Sequence, residues 1–467
     1  MGLTGQVAEF IACAVAEEIP ADVQRLAKRS ILDGLGLAVA GSRSRAAEIA
    51  RAEIESYGAL RADASVLGTD GRTAARFAAF LNGLSIHADD FDDTQLAVSQ
   101  DRVYGLLTHP TAPVLPAVLA LAERNRCSGA EFLAAYTIGV EVETKVSEAI
   151  DPRHYNEGFH STATAGSIGS GAGAARILGL DTETTAVSLG IAASFAGGLR
   201  ENFGTMTKPL HAGRAAESGV VAASLAAGGF TAASNILEAR RGFFRAAGGG
   251  FDPAMIDGRL GRPWTFSEPG ISIKPHPSGS LTHPAMGAFL DLVLANDLRA
   301  EDVRRIHVGT NRHMPNALIH HRPTNGLEAK FSMEFCLAIL LLMRRAGLAE
   351  FTDDVVNRPD AQELIARITV EADPAADEGG FREMTSLIEV ELADGSILRT
   401  KADFGKGSPA NPMRDDELID KFLACLEWGH ISAATGREVA ERVLAIETEP
   451  SVHDVVAPLA AAAIRAV

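Results

Sequence analysis

The spacing of apolar residues changes twice along the chain, and these two changes constrain the fold more than any other feature. Up to about residue 250, apolar residues recur at intervals of three and four, as in "PADVQRLAKRSILDGLGLAVAG", which predicts amphipathic helices. Near Trp264 the pattern becomes mixed, and after "GKGSPANP" the helical spacing returns. We therefore expect a mainly α protein. A large all-helical domain, residues 1–267 plus 405–467, is built from both chain ends, and a smaller α/β domain, residues 268–404, is inserted into it.

The inserted segment carries the strand signals. "EDVRRIHVGTN" and "IARITVEADP" have the composition of short strands. "TSLIEVELADGSILRTKADF" alternates apolar and polar residues on both sides of Asp394 and Gly395, which predicts a β-hairpin. Between these strands, "LEAKFSMEFCLAILLLMRRAG" predicts one long buried helix. In the helical part, Ser128 and Glu131 form the pattern of a capping box and predict a helix start.

Charge and composition exclude several classes of protein. Lys and Arg total 43 against 60 Asp and Glu, a net charge of −17, so no nucleic-acid partner is expected. The longest strongly apolar run, "FCLAILLLM", is shorter than the ~20 residues of a membrane span, and "MGLTGQVAEF" lacks the pattern of a signal peptide. We expect a cytoplasmic protein without a membrane partner. The four cysteines are scattered and form no CxxC, which gives no support for a zinc or iron–sulfur motif.

The stretch "HADDFDDT", residues 87–94, places four aspartates within five positions and fits the pattern DDxxD. In a helical protein this pattern is typical of the magnesium-diphosphate sites of prenyl transferases and terpene synthases, because clustered carboxylates suit a hard cation. Such enzymes need a second acidic motif on a facing helix, which the sequence lacks. We therefore expect no metal at this stretch. The structural alternative is that these aspartates cap the helix end and brace the following loop.

Two further residues lie beside predicted helix starts. His109, in "THPTAPVLPA", would feel the positive end of a helix dipole, which disfavours its protonated form; a neutral histidine suits a general base. Lys208, in "GTMTKPLHAGRAA", would form a carboxylate-binding corner with the helix N-terminus. The GxGxxA match at 169–174 is not preceded by a convincing strand, so we interpret its glycines as helix-packing positions rather than as a dinucleotide-binding motif.

Two more segments carry candidate site residues. Tyrosine is scarce, with four in the chain, yet Tyr155 and His160 lie together in the glycine-bearing stretch "HYNEGFH". The stretch "KPHPSGSLTHPAM" contains Lys274, His276 and His283 at the junction of the two predicted domains. Junctions of this kind are frequent locations of small-molecule sites.

The stretches "HADDFDDT", "THPTAPVLPA", "GFHSTATAG", "GTMTKPLHAGRAA", "KPHPSGSLTHPAM" and "EAKFSMEF" resemble motifs of the MmgE/PrpD family in their order, over about residues 10–440. That family includes 2-methylcitrate dehydratase, cis-aconitate decarboxylase and iminodisuccinate epimerase. The resemblance implies a homodimer without metal or organic cofactor, with the active site in a cleft between the helical domain and an α/β lid. It also implies active-site roles for five residues. These are Asp90, Thr94, His109 and Lys208, with Lys274 on the lid side.

The chemistry common to such enzymes is the formation or quenching of a carbanion beside a carboxylate, whose charge must be stabilised electrostatically. We expect Lys208 and Lys274 to bind substrate carboxylates and His109, oriented by Asp90, to act as the acid or base. A second proton-carrying group is needed at the opposite face of the substrate. The candidates for that role are His160, Tyr155 and His283, of which His283 is also a candidate for substrate binding.

The expected activity is that of a hydro-lyase: dehydration of a small di- or tricarboxylate such as 2-methylcitrate. The alternative is an epimerase of an amino-dicarboxylate such as iminodisuccinate. One departure disfavours a cis-aconitate-type decarboxylase: the decarboxylases place a histidine five residues after the lid lysine, where this chain has Gly279. A second departure, a stretch between Thr94 and His109 that is longer than the decarboxylases' equivalent, predicts a different rim of the pocket. A metal-dependent diphosphate enzyme is disfavoured by the missing second acidic motif.

Overall fold

The computed structural model describes residues 1–96, 108–312, 314–379 and 383–461. Helices predominate in them, and apart from one short hairpin the strands lie between residues 303 and 402, so the mainly α fold class is confirmed. No helix of the described ranges is both long and apolar enough to cross a membrane. The α-helices are α1 (Leu3–Cys13), α2 (Ala21–Gly41), α3 (Arg45–Glu55), α4 (Ala75–His87), α5 (Thr111–Asn125), α6 (Gly129–Ala149), α7 (Arg153–Asn156), α8 (Ser161–Ile177), α9 (Thr182–Phe195), α10 (Thr207–Ala227), α11 (Phe243–Gly248), α12 (His283–Ala295), α13 (Gly326–Ala329), α14 (Met333–Met343), α15 (Asp353–Val356), α16 (Pro359–Ile365), α17 (Asp415–Trp428), α18 (Ala433–Leu444) and α19 (Val452–Ala461). The strands are β1 (Ala64–Ser65), β2 (Arg72–Thr73), β3 (Val303–Thr310), β4 (Ile368–Ala372), β5 (Ser386–Leu392) and β6 (Ile397–Ala402).

The helices of the large body approach closely because small residues line their contacts. A Cβ atom at Gly139 of α6 would lie 3.0 Å from the carbonyl oxygen of Gly169 and 3.1 Å from Cα of Gly173, both on α8. The GxGxxA match therefore lies inside a helix, where its glycines pack against a neighbouring helix as predicted. The capping box of Ser128 and Glu131 at the start of α6 is also confirmed.

The C-terminal helices complete the core of the body. Phe422 of α17 packs against α2 at Gly36, where a Cβ atom would lie 2.8 Å from the phenyl ring. Val439 of α18 and Leu459 of α19 are buried in the same apolar cluster as Leu35 of α2. One core is thus built from both ends of the chain.

The inserted region has an apolar core of its own, which includes Phe289, Ile306, Leu337 and Val390. Its sheet has the strand order β4-β3-β5-β6, with β3 and β4 parallel and the other pairs antiparallel. The predicted hairpin is β5 and β6, and the other two predicted strands are β3 and β4. The two cores are separate, and we propose 267/268 and 404/405 as the domain boundaries, although Ile271 and Ile273 still pack with the core of the helical body.

The prediction of one long helix in "LEAKFSMEFCLAILLLMRRAG" is wrong. The segment forms the short α13 and the longer α14, separated at residues 330–332. Ser332 caps α14, because its side chain accepts a hydrogen bond from the backbone N–H of Phe335. Lys330 leaves the helical path, and its Nζ lies 2.7 Å from Oδ1 of Asp89 on the helical body. The break therefore gives the inserted domain a polar contact with the acidic stretch.

Candidate active site

The acidic stretch after α4 places Asp90 between two lysines. Lys208, in the first turn of α10, has its Nζ 2.6 Å from Oδ1 of Asp90. Lys274, which leads into the inserted domain, has its Nζ 2.9 Å from Oδ2 and 2.7 Å from the carbonyl oxygen of Asp90. All three side chains are buried. Burial disfavours the charged carboxylate, but the two ammonium groups outweigh burial and hold the pKa of Asp90 well below its usual range.

Asp92 accepts hydrogen bonds from two histidines. Its Oδ2 lies 2.8 Å from Nδ1 of His87 and 3.3 Å from Nδ1 of His109. The other nitrogen of His87, Nε2, accepts a hydrogen bond from Nζ of Lys208 at 2.8 Å. Burial lowers the pKa of His87 to about 3, although Asp92 acts in the opposite direction. His87 is therefore neutral, with its proton on Nδ1 directed at Asp92.

His109 is held so that only one ring nitrogen faces the cleft. Its backbone N–H donates to Oγ1 of Thr162 at 3.1 Å. Its Nδ1 contacts Asp92 and lies 3.4 Å from Oγ1 of Thr94, whereas Nε2 lies 3.9 Å from Oδ1 of Asp90. Burial lowers the pKa of His109, so the ring is a neutral proton acceptor. The expectation that Asp90 orients His109 is corrected: Asp92 contacts Nδ1, because Asp90 is turned toward the lysines.

The remaining two aspartates brace the loop, as predicted. Asp93 accepts a hydrogen bond from the backbone N–H of Thr111 at the start of α5, at 3.2 Å. Burial raises the pKa of Asp93 to about 7, and the charge of the neighbouring Asp92 adds to this effect. Asp89 forms the ion pair with Lys330. Asp90 and Asp92 are thus the aspartates of this stretch that belong to the lysine–histidine cluster.

His160 and Tyr155 form another part of the cleft. His160 directly precedes α8, and its Nδ1 lies 3.1 Å from Nδ1 of His211 on α10. Its Nε2 is buried without a hydrogen-bond partner in the described part of the chain. Burial, together with the charge of Lys208, holds the pKa of His160 well below its usual range. The ring of Tyr155 packs under the guanidinium of Arg200 at 3.6 Å.

These side chains line one small cavity between the helical body and the inserted domain. Its volume is about 50 Å³, enough for a few water molecules. A di- or tricarboxylate is several times larger than water, so it does not fit this volume without displacement of some lining side chains. The lining residues are Asp90, Thr94, His109, Tyr155, His160, Phe203, Lys208, Lys274, Gly279, Ser280, Leu281, Ala317, Leu318 and Phe331.

The cavity includes seven of the predicted site residues, whereas His276 and His283 are not among its lining residues. His283 lies instead on a neighbouring cavity of about 430 Å³ with Phe404 and Pro409, because it begins α12 on the far side of Ser280. Its predicted roles as a substrate-binding residue and as a proton carrier in the cleft are therefore not supported by its position. Of the longer stretch between Thr94 and His109, residues 97–107 lie outside the described residues.

Donor atoms of His87, Asp90, Asp92 and His109 lie within 4.8 Å of one another, a spacing that could hold a metal ion. Both carboxylate oxygens of Asp90 already accept from lysine ammonium groups. Both nitrogens of His87 are also engaged. In the described residues, the ammonium groups of Lys208 and Lys274 place positive charge beside these donors.

Sequence reasoning missed His87, Asp92 and His211 as parts of the site. His87 and Asp92 both stand in the acidic stretch, but nothing local indicates which of its aspartates faces a histidine. His211 follows Lys208 by three residues on α10. This spacing places the two side chains on the same helix face, so the signal for His211 was present in the sequence.

Comparison with known proteins finds similarity over most of the chain. The MmgE/PrpD N-terminal domain model matches residues 5–256, and the MmgE/PrpD C-terminal domain model matches residues 276–446. The cis-aconitate decarboxylase of Homo sapiens is 30% identical over 428 residues, covering 88% of this chain and 85% of that protein. The cis-aconitate decarboxylase of Aspergillus terreus is 28% identical over 475 residues, covering 96% of this chain and 93% of that protein. Because both domain models match in order over most of its length, the chain belongs to the MmgE/PrpD family.

Proposed function

We propose that this lyase is a hydro-lyase that removes water from a small di- or tricarboxylate such as 2-methylcitrate. The observation that carries the proposal is the position of two lysine ammonium groups beside the neutral ring of His109. Each ammonium has three N–H donors, of which Lys208 uses two on His87 and Asp90, and Lys274 uses two on Asp90. Each lysine thus retains one donor for a substrate carboxylate.

His109 is the proposed base. Its Nδ1 contacts Asp92, and its Nε2 is directed at the cavity. A proton taken from the carbon beside the substrate carboxylate gives the ring a positive charge, which Asp92 stabilises. The enolate-like charge that develops on the substrate is stabilised by the N–H donors of Lys208 and Lys274.

His160 is the proposed acid. It lines the cavity with an unpartnered Nε2, so it can donate a proton to the departing hydroxyl group. Tyr155 lies on the same cavity and is the alternative donor. A second proton carrier in this position would equally serve an epimerase of an amino-dicarboxylate, in which it returns a proton to the other face of the carbanion.

Decarboxylation is the second candidate function, because the relatives named above are cis-aconitate decarboxylases. This chain differs from the decarboxylases at Gly279, where the inserted domain faces the cavity. Gly279 has no side chain there, and a Cβ atom at this position would lie 3.3 Å from Cδ2 of Leu318. The other nearest atoms belong to the backbone carbonyl of Lys330 and the ring of Phe331. This position therefore supplies no proton carrier, which disfavours a decarboxylase mechanism that uses a histidine there.

The test is an NMR assay in D₂O with 2-methylcitrate, cis-aconitate, citrate and iminodisuccinate as separate substrates. Dehydration gives an unsaturated product that keeps all its carboxylates, whereas decarboxylation releases CO₂. Epimerisation gives deuterium incorporation without loss of water or of CO₂. The His109→Gln variant serves as the control, since it should show neither turnover nor exchange. CO₂ release from cis-aconitate at a higher kcat/KM than any water loss would contradict the dehydratase proposal.

We also propose that the protein is a homodimer. A groove between α3, α4 and α10 is lined by large apolar side chains that are 38–58% exposed: Ile49, Tyr57, Met206 and Leu210. A two-fold contact between two copies of the chain would cover this groove on both of them. Light scattering at micromolar concentration should give twice the mass of the chain. Tyr57→Asp should shift the protein to monomer, whereas Ile397→Asp, at a similarly exposed position on the inserted domain, should leave the mass unchanged. A wild-type monomer would contradict the proposal.

A further inference from the structure

The proposed reaction assigns no role to the close contact between the rings of His160 and His211. Nδ1 of His160 lies 3.1 Å from Nδ1 of His211. Two neutral imidazoles can be this close only if one Nδ1 carries a proton and the other accepts it. Neither ring has a carboxylate among its hydrogen-bond partners in the described residues.

The two rings differ in their access to solvent. His160 is 1% exposed and lies in the cavity, whereas His211 is 6% exposed. Phe203 packs edge-on against His160, with the ring centroids 5.0 Å apart, and Nζ of Lys208 lies 5.3 Å from the centroid of the same phenyl ring. His211, on the side of His160 opposite to its unpartnered Nε2, is the more exposed ring of the pair.

Simple acid catalysis by His160 alone meets a physical obstacle. If the ring begins as an imidazolium, its charge is opposed by burial and by Lys208, which hold its pKa well below the usual range. If the ring begins neutral and gives up its Nε2 proton, it is left as an imidazolate anion, which is far less stable than the neutral ring. A proton supplied at Nδ1 at the same time removes both problems.

We propose that His211 passes a proton to His160, so that the two rings relay a proton between solvent and the closed cavity. The starting pair has protons on Nε2 of His160 and Nδ1 of His211. As Nε2 of His160 gives its proton to the leaving hydroxyl, which departs as water, Nδ1 of His160 takes the proton from Nδ1 of His211, and Nε2 of His211 takes a proton from solvent water. Both rings end neutral as the opposite tautomers. The hydroxide left in solvent is neutralised by the proton that His109 took from the substrate and releases to solvent with the product. The tautomers are restored when protons move along the same path in the opposite direction, from water in the cavity to Nε2 of His160 and from Nε2 of His211 to solvent, where the resulting charges cancel.

This inference rests on the proposed role of His160 as the proton donor, and it makes His211 a positioning and relay residue without substrate contact. Burial lowers the pKa of His211 to about 4, which agrees with a neutral ring at both ends of the cycle. The groups facing His160 are Lys208, His87, His109 and Phe203. None of them can replace His211 at Nδ1, because His211 occupies that side of the ring.

The test compares wild type with His211→Gln, whose amide can donate to Nδ1 of His160 but cannot pass a proton on. With 2-methylcitrate as the probe, kcat should fall roughly 10²-fold, at the low end of a general acid's contribution. KM and the exchange of the substrate's C–H with D₂O, which depends on His109, should stay near wild type. The matched control is His154→Gln, a buried histidine that bonds Thr164 and a backbone carbonyl instead. Wild-type kcat in His211→Gln would overturn the relay.

A second measurement does not depend on turnover. ¹⁵N NMR of the labelled wild-type protein should show His160 and His211 averaging between two tautomers, and His211→Gln should leave His160 in a single tautomer. A single fixed tautomer of His160 in wild type overturns the relay even if water loss is observed. Averaging tautomers without turnover of any panel substrate would instead support the relay and reject the proposed reaction.

Discussion

Lys208 donates a hydrogen bond to His87, with Nζ of the lysine 2.8 Å from Nε2 of the histidine. Because Nε2 accepts, the proton of the neutral ring must be on Nδ1, which faces Asp92. Asp92 in turn contacts His109. Lys208 is therefore linked through one histidine to Asp92, the carboxylate that contacts the proposed base.

Replacing His87 should disturb both of its neighbours. His87→Phe removes the acceptor of one Lys208 N–H and one donor to Asp92, and both groups are buried. Leaving such groups unsatisfied should lower the free energy of unfolding by about 2–3 kcal/mol, measured by urea denaturation. The control His453→Phe changes a histidine whose side chain is 39% exposed and should cost less. Equal effects of the two substitutions would contradict the buried link.

Asp92, rather than Asp90, should control the basicity of His109. Asp92→Asn keeps the shape of the side chain but removes the charge that stabilises protonated His109. The kcat should fall by roughly 10²–10⁴, as for loss of a general base. His109→Gln should give a similar loss, and the double variant should be no worse than the poorer single one. Additive losses would show that the two side chains act separately.

Substitution of a lysine should change kcat and KM in a different way from substitution of His109, the proposed base. If Lys208 binds a substrate carboxylate equally in the ground and transition states, Lys208→Met should mainly raise KM. If its N–H also stabilises the enolate, kcat should fall by about 10²–10³ as well. Lys401→Met, at an exposed lysine on β6, is the control and should leave both constants unchanged. Unaltered kcat and KM in Lys208→Met would exclude a role in binding.

Asp93 should make stability depend on pH near neutrality. Its folded pKa is raised to about 7 by burial, whereas an unfolded aspartate titrates near ~3.9. As the pH rises, Asp93 therefore loses its proton at a lower pH in the unfolded state than in the folded state. Its contribution to the free energy of unfolding is fully present below about pH 4 and is lost as the pH rises to about 7. The difference in unfolding free energy between wild type and Asp93→Asn should decrease over this range and become constant above it. A difference that rises with pH would contradict the raised pKa.

Chelation should leave activity unchanged. Lysine ammonium groups already bond both carboxylate oxygens of Asp90, so no divalent cation is needed to balance its charge. Turnover in the NMR assay should be the same before and after dialysis against EDTA. Loss of activity on dialysis, with recovery on addition of Mg²⁺, would contradict a lysine-based site.

Much of the fold could be predicted because it depends on local pattern. The hairpin at Asp394 and Gly395 and the capping box at Ser128 each require only a few consecutive residues. The break between α13 and α14 was not predicted, although Ser332 caps α14, and the contact of Lys330 with Asp89 joins positions 241 residues apart, which no local pattern indicates. Among the site residues, His109 and Lys208 were found from their positions at helix starts, whereas the placement of His283 was decided by the direction in which α12 begins.

The sequence by itself determined the helical body, the inserted α/β domain and the candidate lysines and histidines, because periodicity, caps and turns act over short distances. Only the tertiary structure decided which carboxylate meets which cation. Asp90 is separated by 118 residues from Lys208 and by 184 from Lys274, and its neighbour Asp92 meets two histidines instead. Adjacent aspartates of the same stretch differ in role because the loop turns their side chains toward different elements, and burial there makes each contact strong enough to determine a charge state.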